Sequence, residues 1–441
     1  MDAFFQVSER GSTVPREMLG GLTTFAAMSY IVVVNPLVLS AAGMDRQGVL
    51  VATVLSAMIG TLLMGLWANL PVALAAGMGS NIVFAQVVVR QMGLRWQTAL
   101  AMVFLNAVVF LALSLTRWRE KIVAGFPESI KLGMQCSIGI FIAFIGLKNA
   151  GLVVASAGSL VALAKLSGAA VLLSLFGLLL TVTLYIRKVP GSFLISIGVL
   201  TVCGLFLKDA AGHAITVAPM QWFSLPLMRT GMLFAFDFRE FFAKFFFILP
   251  ITVYFLVSEF FAATATLVGV ARRAGLSTPE EALPNGRAAF ASDAIASVAG
   301  AALGTSTVTA FVESVAGVEA GARTGLSGVV VAALFGLTLF LGPVIASIPA
   351  QAVAPALVLV GALMMDDLKE LDRKRAEESL PPLLMVLFTV CTMDLMAGLA
   401  IGCFTYTLFA VSLGQWKKIN ATLLGLDVVF ALYLILRNRI V

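Results

Sequence analysis

Long apolar segments separated by short polar connections run along almost the whole chain. Fourteen can be placed, and most approach the roughly 20 residues that a helix needs to cross a bilayer. The first seven fall at about 18–42, 48–70, 72–90, 96–116, 128–150, 168–187 and 190–207, and the second seven at about 241–271, 288–303, 307–321, 326–347, 351–365, 380–394 and 397–413. The pattern predicts an all-α polytopic membrane protein.

The fourteen segments divide into two series of seven, with the longest polar connection, 208–240, between them. An odd number of spans in each series makes the two series antiparallel in the membrane, which is the signature of an inverted repeat. A final apolar stretch at 421–437 is either a fifteenth span or a helix that lies in the membrane interface. The predicted layout is a 7+7 inverted repeat followed by a C-terminal apolar segment.

Segments three and ten are interrupted. Residues 71–89 read PVALAAGMGSNIVFAQVVV, and residues 303–317 read LGTSTVTAFVESVAG. In each segment, a short run that favours a β-strand precedes a stretch that can be helical. In segment ten the expected strand is TSTVT at 305–309, and Glu313 falls near the start of the helical stretch. Unwound backbone at membrane depth is tolerated where protein buries it or where it lines a cavity, and paired interruptions indicate a transporter's central site. The alternative is that the small residues only let helices pack closely.

Composition agrees with a membrane location, since 60% of the 441 residues are hydrophobic and only 12% are charged; soluble domains carry about 25% charged residues. The net charge of +6 does not indicate nucleic-acid binding, because the basic residues form short clusters between apolar segments. These clusters are Arg117, Arg119 and Lys121; Arg187 and Lys188; Arg272 and Arg273; Lys369, Arg373, Lys374 and Arg375; and Lys417 and Lys418. They follow even-numbered segments, which predicts a cytoplasmic N-terminus and a multi-pass protein of the plasma (inner) membrane.

No motif for enzyme chemistry is present. The sequence has no Walker loop, no HExxH and no nucleophile elbow, and the GMGSN run at 77–81 lacks the strand–helix frame of a dinucleotide site. The four cysteines, Cys136, Cys203, Cys391 and Cys403, lie in apolar segments without CxxC spacing, so neither disulfides nor a zinc site follow. The sequence predicts no enzyme activity, no metal and no cofactor.

Two carboxylates lie deep within apolar segments, Glu259 in segment eight and Glu313 in segment ten. Ionisable groups inside the bilayer are costly and mark functional sites by default. Burial raises the pKa of a carboxyl group, so either one is a candidate to carry a coupling proton near neutral pH. The single histidine, His213, lies in the long polar connection and is a weaker candidate.

Other ionisable residues are interpreted as structural. Asp293, Asp394 and Lys148 lie near the ends of predicted segments, where solvation or pairing is easier. Glu319 and Arg323 lie toward the cytoplasmic end of segment ten, and Glu319 is interpreted as a solvated or paired end residue.

Several stretches resemble a known family. They are GLTTFAAMSYIVVVNPLVLSAAGM at 21–44, ALAAGMGSN at 73–81, IAFIGLKNAGL at 142–152, SDAIASVAGAALGTSTVTAFVESVAGVEAGARTGLSG at 292–328 and LVLVGALMM at 357–365. The chain resembles the AzgA-like purine permease branch of the nucleobase:cation symporter-2 family along nearly its whole length. The motif around Glu313 is the most specific part of this likeness.

The resemblance implies two domains, each built from both halves of the chain. The core domain would take 1–117 and 241–350, the gate domain 118–207 and 351–413, the inter-repeat loop 208–240 and the C-terminal apolar segment 414–441. Segments three and ten would each contain a short strand. Members of the family import purine bases (hypoxanthine, guanine, adenine and xanthine) with protons, by an elevator-like movement of core against gate, commonly as homodimers. The implied partners are therefore a nucleobase, membrane lipid and a second copy of the chain, with H⁺ as coupling ion.

The resemblance also implies a substrate site. Glu313 matches the glutamate of the motif TSTVT-x-x-x-ES, which hydrogen-bonds N–H groups of the base, and Glu259 matches the first acid of the pattern D-x-F-D-T. On the hypothesis of a nucleobase importer, backbone N–H groups near Ser80 and Val312 would meet the base's acceptors, and Phe25 or Tyr30 would stack on its ring. The alternative for both aromatic residues is ordinary packing. The expected substrate-binding residues are Glu259, Glu313, Ser80, Asn81, Val312, Ser314, Phe25, Gly79 and Ala262, with Glu259 and Glu313 also expected to couple the proton.

In segment eight the chain departs from the family pattern, because the second acid falls on Ala262 and the following threonine on Ala263. This change makes the expected site less acidic. One alternative is therefore a transporter of the same fold for another small heterocycle or an organic anion, although two retained carboxylates disfavour an anion. Another is a channel or a receptor that binds without coupled transport.

Overall fold

The computed structural model of the protein describes residues 2–116, 127–156, 160–209, 212–226, 230–277, 283–372 and 374–437. Some of the expectations lie outside these residues. They concern Arg117, Arg119, Lys121 and Arg373 of the basic clusters, and the boundary expected between 117 and 118.

α-Helices account for most of the described residues. In the first half they are α1 (Asp2–Phe5), α2 (Val14–Met28), α3 (Ile31–Ser40), α4 (Arg46–Leu63), α5 (Met78–Ile82), α6 (Trp96–Ser114), α7 (Glu128–Asn149), α8 (Ala169–Ile186) and α9 (Ser192–Phe206). In the second half they are α10 (Phe238–Ala243), α11 (Phe245–Arg273), α12 (Gly286–Leu303), α13 (Ser314–Glu319), α14 (Gly325–Thr338), α15 (Gly342–Ser347), α16 (Ala350–Met364), α17 (Ala376–Thr392), α18 (Leu395–Ser412) and α19 (Ala421–Arg437). The strands are β1 (Leu74–Ala76), β2 (Val153–Ser156), β3 (Leu160–Leu163) and β4 (Val308–Ala310).

Eight helices in the described ranges are long and apolar enough to cross a membrane. They are Val14–Ser40, Arg46–Ala68, Trp96–Ser114, Glu128–Asn149, Ala169–Ile186, Phe245–Arg273, Gly325–Ser347 and Leu395–Ser412. α9, α16 and most of α19 are apolar but shorter. The prediction of a helical, polytopic membrane protein is confirmed. A layout of fourteen spans is compatible with these elements, since helices or interrupted segments occupy each predicted position.

Polar residues at the helix ends explain where several helices begin. The Asp45 side chain accepts a hydrogen bond from the Gly48 N–H at 2.8 Å, and the Asp394 side chain accepts one from the Ala397 N–H at 3.0 Å. Such N-caps satisfy backbone donors that lack partners within the helix. Lys148 is exposed in the last turn of α7. The structural interpretation of Asp394 and Lys148 is confirmed.

The apolar pattern missed several local irregularities. Segment one is broken, because α2 ends at Met28 and α3 begins only at Ile31. Turns of π-helix at Met64–Ala68 and Val83–Gln91 end segments two and three. An unpredicted antiparallel hairpin pairs β2 with β3, so strands are not confined to segments three and ten. Uniformly apolar sequence does not mark such breaks, because tertiary contacts decide them.

A two-stranded crossing joins the two halves of the chain. β1 and β4 pair antiparallel, with Leu74 opposite Ala310 and Ala76 opposite Val308. The short strands expected in segments three and ten are thereby confirmed. The expectation that all of TSTVT forms the second strand is wrong, because the strand begins at Val308. Of the residues before it, Thr305 and Ser306 place their side chains in buried hydrogen bonds instead.

The helices pack in two groups that each combine both halves. In the first group α12 packs against α4 and α6, α14 packs against α2 and α4, and α13 packs against α2. In the second group α7 packs against α16 and α17, α8 against α16, and α17 against α18. β1 and β4 contact α4 and α12, so the crossing lies within the first group. α19 contacts α18 of one group and α11, the helix that carries Glu259.

Segment ten also contains a close helix contact. Close packing was the alternative role considered for its small residues. A Cβ on Gly317 would lie 2.0 Å from Thr24 Oγ1 and 2.5 Å from the Gly20 carbonyl oxygen. Only glycine fits there, and it lets α13 rest directly on the backbone of α2. Segment ten therefore combines a strand crossing with a close helix contact.

Candidate functional site

The two short helices that follow the crossing begin beside each other's strands. The Gly77 N–H, just before α5, donates to the Thr307 carbonyl at 2.9 Å, and the Phe311 N–H, just after β4, donates to the Ala73 carbonyl at 3.0 Å. The Ser314 hydroxyl accepts from the Ala73 N–H at 3.1 Å. These hydrogen bonds hold the starts of α5 and α13 at opposite ends of the strand pair β1–β4, as expected for interrupted segments.

Glu313 occupies the N-cap position of α13, close to the helix start where the sequence placed it. The Tyr30 hydroxyl donates to Glu313 Oε1 at 2.8 Å. Tyr30 is buried at the break between α2 and α3, and its ring lies 4.9 Å from that of Phe193 in α9. The sequence suggested Tyr30 for stacking on a ligand, whereas here its hydroxyl positions Glu313. Its ring packs against an aromatic residue of the other helix group.

Glu259 lies in the middle of α11 and is only 3% exposed. Its Oε1 lies 2.5 Å from the Ser297 hydroxyl of α12, and its Oε2 has no hydrogen-bond partner. Ser297 also lies within hydrogen-bond distance of both backbone groups of Val308. The carboxyl group of Glu259 is therefore connected to strand β4 through a single hydroxyl.

Asp293 corrects one interpretation of the sequence. It was assigned to a segment end, where solvation or pairing is easier, but it lies two turns inside α12 and is fully buried. Neither of its carboxyl oxygens has a hydrogen-bond partner of normal geometry. It interacts with Glu259, the Ala310 N–H and the Thr309 hydroxyl. The interpretation failed because α12 begins earlier than predicted and its small residues allow dense packing around Asp293.

The predicted residues of segment three differ in how they are placed. Gly79 and Ser80 are half-buried, and a Cβ on Gly79 would lie 3.1 Å from Ile138 Cγ2 of α7. Asn81 is fully buried; its Oδ1 accepts from the Ser306 hydroxyl, while its Nδ2 lacks a partner. Gly79 thus faces the helix group that contains α7, and Asn81 faces segment ten.

The other predicted residues also divide by exposure. The Val312 side chain is 62% exposed, immediately before Glu313. Ala262 and Phe25 are half-buried, and the Phe25 ring packs edge to face on Phe335 with ring centroids 5.3 Å apart. Ser314 is fully buried and already bound to the backbone of segment three. Contact of these residues with a substrate stays a prediction.

A buried polar network that the sequence did not single out supports the crossing. Asn35 of α3 donates through Nδ2 to the Thr53 hydroxyl at 2.7 Å and to the Thr305 hydroxyl at 2.8 Å. The NP dipeptide of segment one and the hydroxyl-rich TSTVT run were visible in the sequence, but their pairing depends on helix contacts.

At the far end of α13, Arg273 lies 3.9 Å from the 59% exposed Glu319 side chain, which confirms Glu319 as a paired end residue.

Comparison with known proteins identifies the family. Residues 15–401 match the model of the permease family that comprises the nucleobase:cation symporter-2 proteins. The chain belongs to this family. This permease is 38% identical over 436 residues to adenine permease AdeQ of Escherichia coli, an alignment that covers 99% of this chain and 96% of AdeQ. It is 36% identical to guanine/hypoxanthine permease PbuO of Bacillus subtilis, over 98% of this chain and 99% of PbuO. The expected resemblance is thereby confirmed.

Solved structures of low sequence identity share the fold of the permease. The transmembrane domain of the cyanobacterial bicarbonate transporter BicA superposes with a TM-score of 0.64 at 17% identity, covering 88% of this chain and 97% of that domain. SLC26A9 superposes with a TM-score of 0.64 at 13% identity, covering 92% of this chain and 66% of SLC26A9. The permease is thus a multi-pass integral membrane protein with the fold of these transporters.

Proposed function

We propose that this permease is a secondary transporter that imports purine nucleobases in symport with protons. Similarity to permeases named for adenine and for guanine and hypoxanthine supports the substrate class. The observation that carries the proposal is Glu313, held by Tyr30 at the start of α13, beside the crossing of the two halves. A carboxylate only accepts hydrogen bonds, so it suits the N–H edge of a base.

In the proposed binding mode, Glu313 and Glu259 hold the N–H groups of the base. Backbone N–H groups near Ser80 and Val312 meet its carbonyl or ring nitrogens. The exposure of Val312 and the half-buried setting of Ser80 support an opening on this side of the crossing. Phe25 offers a ring for stacking on the base, at the cost of its contact with Phe335.

The proposed mechanism is an elevator-type movement between two domains of a 7+7 inverted repeat. The first helix group, which contains the crossing, would be the core, and the second group would be the gate; the separate packing of the two groups supports this division. We further propose that the N-terminus is cytoplasmic and that the permease works in the plasma or inner membrane as a homodimer.

A second candidate keeps the fold and changes the cargo to another small heterocycle or an organic anion. Ala262 supports it, because this half-buried position lacks the acid of the family pattern. The buried carboxyl groups of Glu259, Asp293 and Glu313 weigh against an anion, since each one that is ionised would repel it.

Uptake into proteoliposomes tests the proposal. Radiolabelled hypoxanthine, adenine, guanine, xanthine and uracil are each offered with and without an inward proton gradient. We expect at least one purine to accumulate only when the gradient is present, and uracil to accumulate least. Absence of gradient-dependent accumulation for every base would overturn the proposed function. Accumulation of uracil alone, or of a competing organic anion, would favour the second candidate.

A further inference from the structure

While Glu259 is ionised, Ser297 contacts more acceptor oxygens than its single hydroxyl proton can serve. Its Oγ lies 2.5 Å from Glu259 Oε1, 2.6 Å from the Val308 carbonyl oxygen and 3.0 Å from the Val308 nitrogen. All three residues are buried. A serine hydroxyl has one proton to donate and two lone pairs that accept.

The protonation state of Glu259 decides whether these contacts can all be satisfied. An ionised Glu259 only accepts, as does the Val308 carbonyl, and one hydroxyl proton cannot serve both. A protonated Glu259 can donate to Ser297 Oγ, which also accepts from the Val308 N–H, while the Ser297 hydroxyl donates to the Val308 carbonyl. Each of the three Ser297 contacts is then a hydrogen bond with one donor and one acceptor.

The other strand of the crossing provides an internal reference. Thr61 Oγ1, from α4, accepts from the Leu74 N–H at 2.9 Å and donates to the Leu74 carbonyl at 3.1 Å. Leu74 is the first residue of β1, as Val308 is the first residue of β4. On the outer edge of each strand, one side-chain hydroxyl thus contacts both the N–H and the carbonyl of a single residue. We call this arrangement a clasp. The Thr61 clasp is complete without a carboxyl group, whereas the Ser297 clasp is shared with Glu259.

No charged residue near Glu259 in the described part of the chain provides a cation that would stabilise its ionised form. Asp293, one turn before Ser297 on α12, faces Glu259 and adds a second acid rather than a cation. Other charged residues on elements packed against α11 have recorded partners: Lys131 with Glu128 and with the Phe261 ring of α11, Glu240 with Lys244, Arg287 with the Leu115 carbonyl, Glu319 beside Arg273, and Asp427 with the Thr407 hydroxyl. Within the described residues, neither Glu259 nor Asp293 forms an ion pair with a Lys or Arg.

We propose that Ser297 is a positioning residue that couples the proton on Glu259 to strand β4. In this conformation Glu259 holds the proton and Ser297 clasps Val308. When Glu259 loses the proton, the Ser297 hydroxyl turns to the carboxylate, and the Val308 carbonyl loses its partner. β4 leads directly to Glu313, so the change reaches the carboxylate that is proposed to bind the base. The link to transport rests on the proposed function, but the switch itself can be measured without a substrate.

Infrared difference spectroscopy of the purified permease, acidic minus alkaline, tests the switch directly. The band of the protonated carboxyl group should disappear in Glu259→Gln. It should shift to higher frequency in Ser297→Ala, because the acid loses its acceptor, and stay in place in Ser297→Thr. Thr61→Val is the matched control and should leave the band unchanged. A band that is unshifted in Ser297→Ala, or that disappears in Asp293→Asn instead of Glu259→Gln, would overturn the proposal.

Base binding over a series of pH values provides the second readout. Binding linked to one proton changes by about tenfold per pH unit in the range where the proton is exchanged. Ser297→Ala should flatten this dependence, Ser297→Thr should restore it, and Thr61→Val should keep it. If Ser297→Ala does not fold, Ser297→Cys keeps a weak donor and should shift the infrared band part of the way; an unchanged band there overturns the proposal. A wild type that binds no purine but shows the infrared shifts would refute the proposed function and leave the switch standing.

Discussion

The two halves of the chain build the same crossing and give it different chemistry. The first half contributes β1, the Thr61 clasp and a short helix whose N-cap is Gly77. The second half contributes β4, the Ser297 clasp and a short helix whose N-cap is Glu313. The scaffold is shared, but each acid at the crossing belongs to the second half. The first half can therefore serve as a reference against which the roles of the acids are measured.

This difference separates two tasks that one hydroxyl performs in the second half. Binding the outer edge of a strand needs only a hydroxyl, as the Thr61 clasp demonstrates. Responding to a proton needs an acid beside that hydroxyl, and Glu259 supplies it. Substitutions in matched pairs across the two halves can break either task alone.

The largest effect on transport is expected from Glu259→Gln. The amide donates to Ser297 as a protonated acid does, but it has no proton to release. A gradient of one pH unit supports about tenfold accumulation in a one-proton symporter, and we expect this accumulation to vanish. Proteoliposome uptake with Thr61→Val as the reference measures the loss. Persistent gradient-driven accumulation in Glu259→Gln would place the proton elsewhere.

Removing either clasp should lower the stability of the permease, but only the loss caused by removing the Ser297 clasp should depend on pH. Thr61→Val leaves the two backbone groups of Leu74 without partners, and Ser297→Ala does the same to Val308. A buried group left unpaired costs about 1–3 kcal/mol, so each variant should melt at a lower temperature than the wild type. Because Glu259 contacts Ser297 and not Thr61, the difference in melting temperature between the two variants should change with pH. A pH-independent difference would contradict the assigned roles.

A smaller effect is expected from Tyr30→Phe, which removes the hydrogen bond to Glu313 and keeps the ring against Phe193. Hydrogen bonds to charged groups contribute about 1.5–3 kcal/mol; because Tyr30 acts on the base only through Glu313, we expect base binding to weaken by about tenfold, the low end of that range. The pH dependence of binding should persist, because Glu259 and Ser297 are intact. Equilibrium binding at several pH values checks both statements; a flattened pH profile would show that Tyr30 belongs to the proton path.

The smallest effect is expected at Glu240, a carboxylate of α10 outside the membrane-spanning helices. Burial acts to raise its pKa, but hydrogen bonds from Thr98 and Lys244 outweigh it and lower the pKa from 4.5 to about 2. A carboxylate with a lowered pKa stabilises the folded state at pH values above its ordinary pKa. This contribution is lost as the pH falls through about 2. Glu240→Gln should slightly lower the melting temperature at neutral pH, less so in acid, and leave gradient-driven uptake unchanged. Loss of uptake would make Glu240 part of the coupling.

Much of the scaffold could be predicted from the sequence, because apolar length and interrupted segments follow directly from bilayer thickness and backbone hydrogen bonding. The paired breaks at 71–89 and 303–317 located the crossing, and the isolation of Glu259 and Glu313 in apolar sequence marked both as candidates. The start of β4 was misplaced by three residues, because hydroxyl side chains of TSTVT suit a strand and buried side-chain hydrogen bonds equally well.

The partners of the acids were beyond the reach of the sequence. Ser297 is one small residue among many in α12, and only the packing of α11, α12 and β4 brings it to Glu259. Asp293 was misjudged for the same reason, since its burial depends on neighbours far away in the chain. Tyr30 was noted for its ring, while its hydroxyl contact with Glu313 joins residues separated by most of the sequence.

Equilibrium binding of radiolabelled hypoxanthine and adenine to purified protein tests most directly the claim that the second half contacts the ligand. Wild type, Glu313→Gln and Thr61→Val are compared, each after its melting temperature has shown that it is folded. We expect Thr61→Val to bind like the wild type and Glu313→Gln to lose about 100-fold in affinity, as an acceptor charge is removed from the base. Wild-type affinity in Glu313→Gln would contradict the assignment and move the ligand contact away from the start of α13.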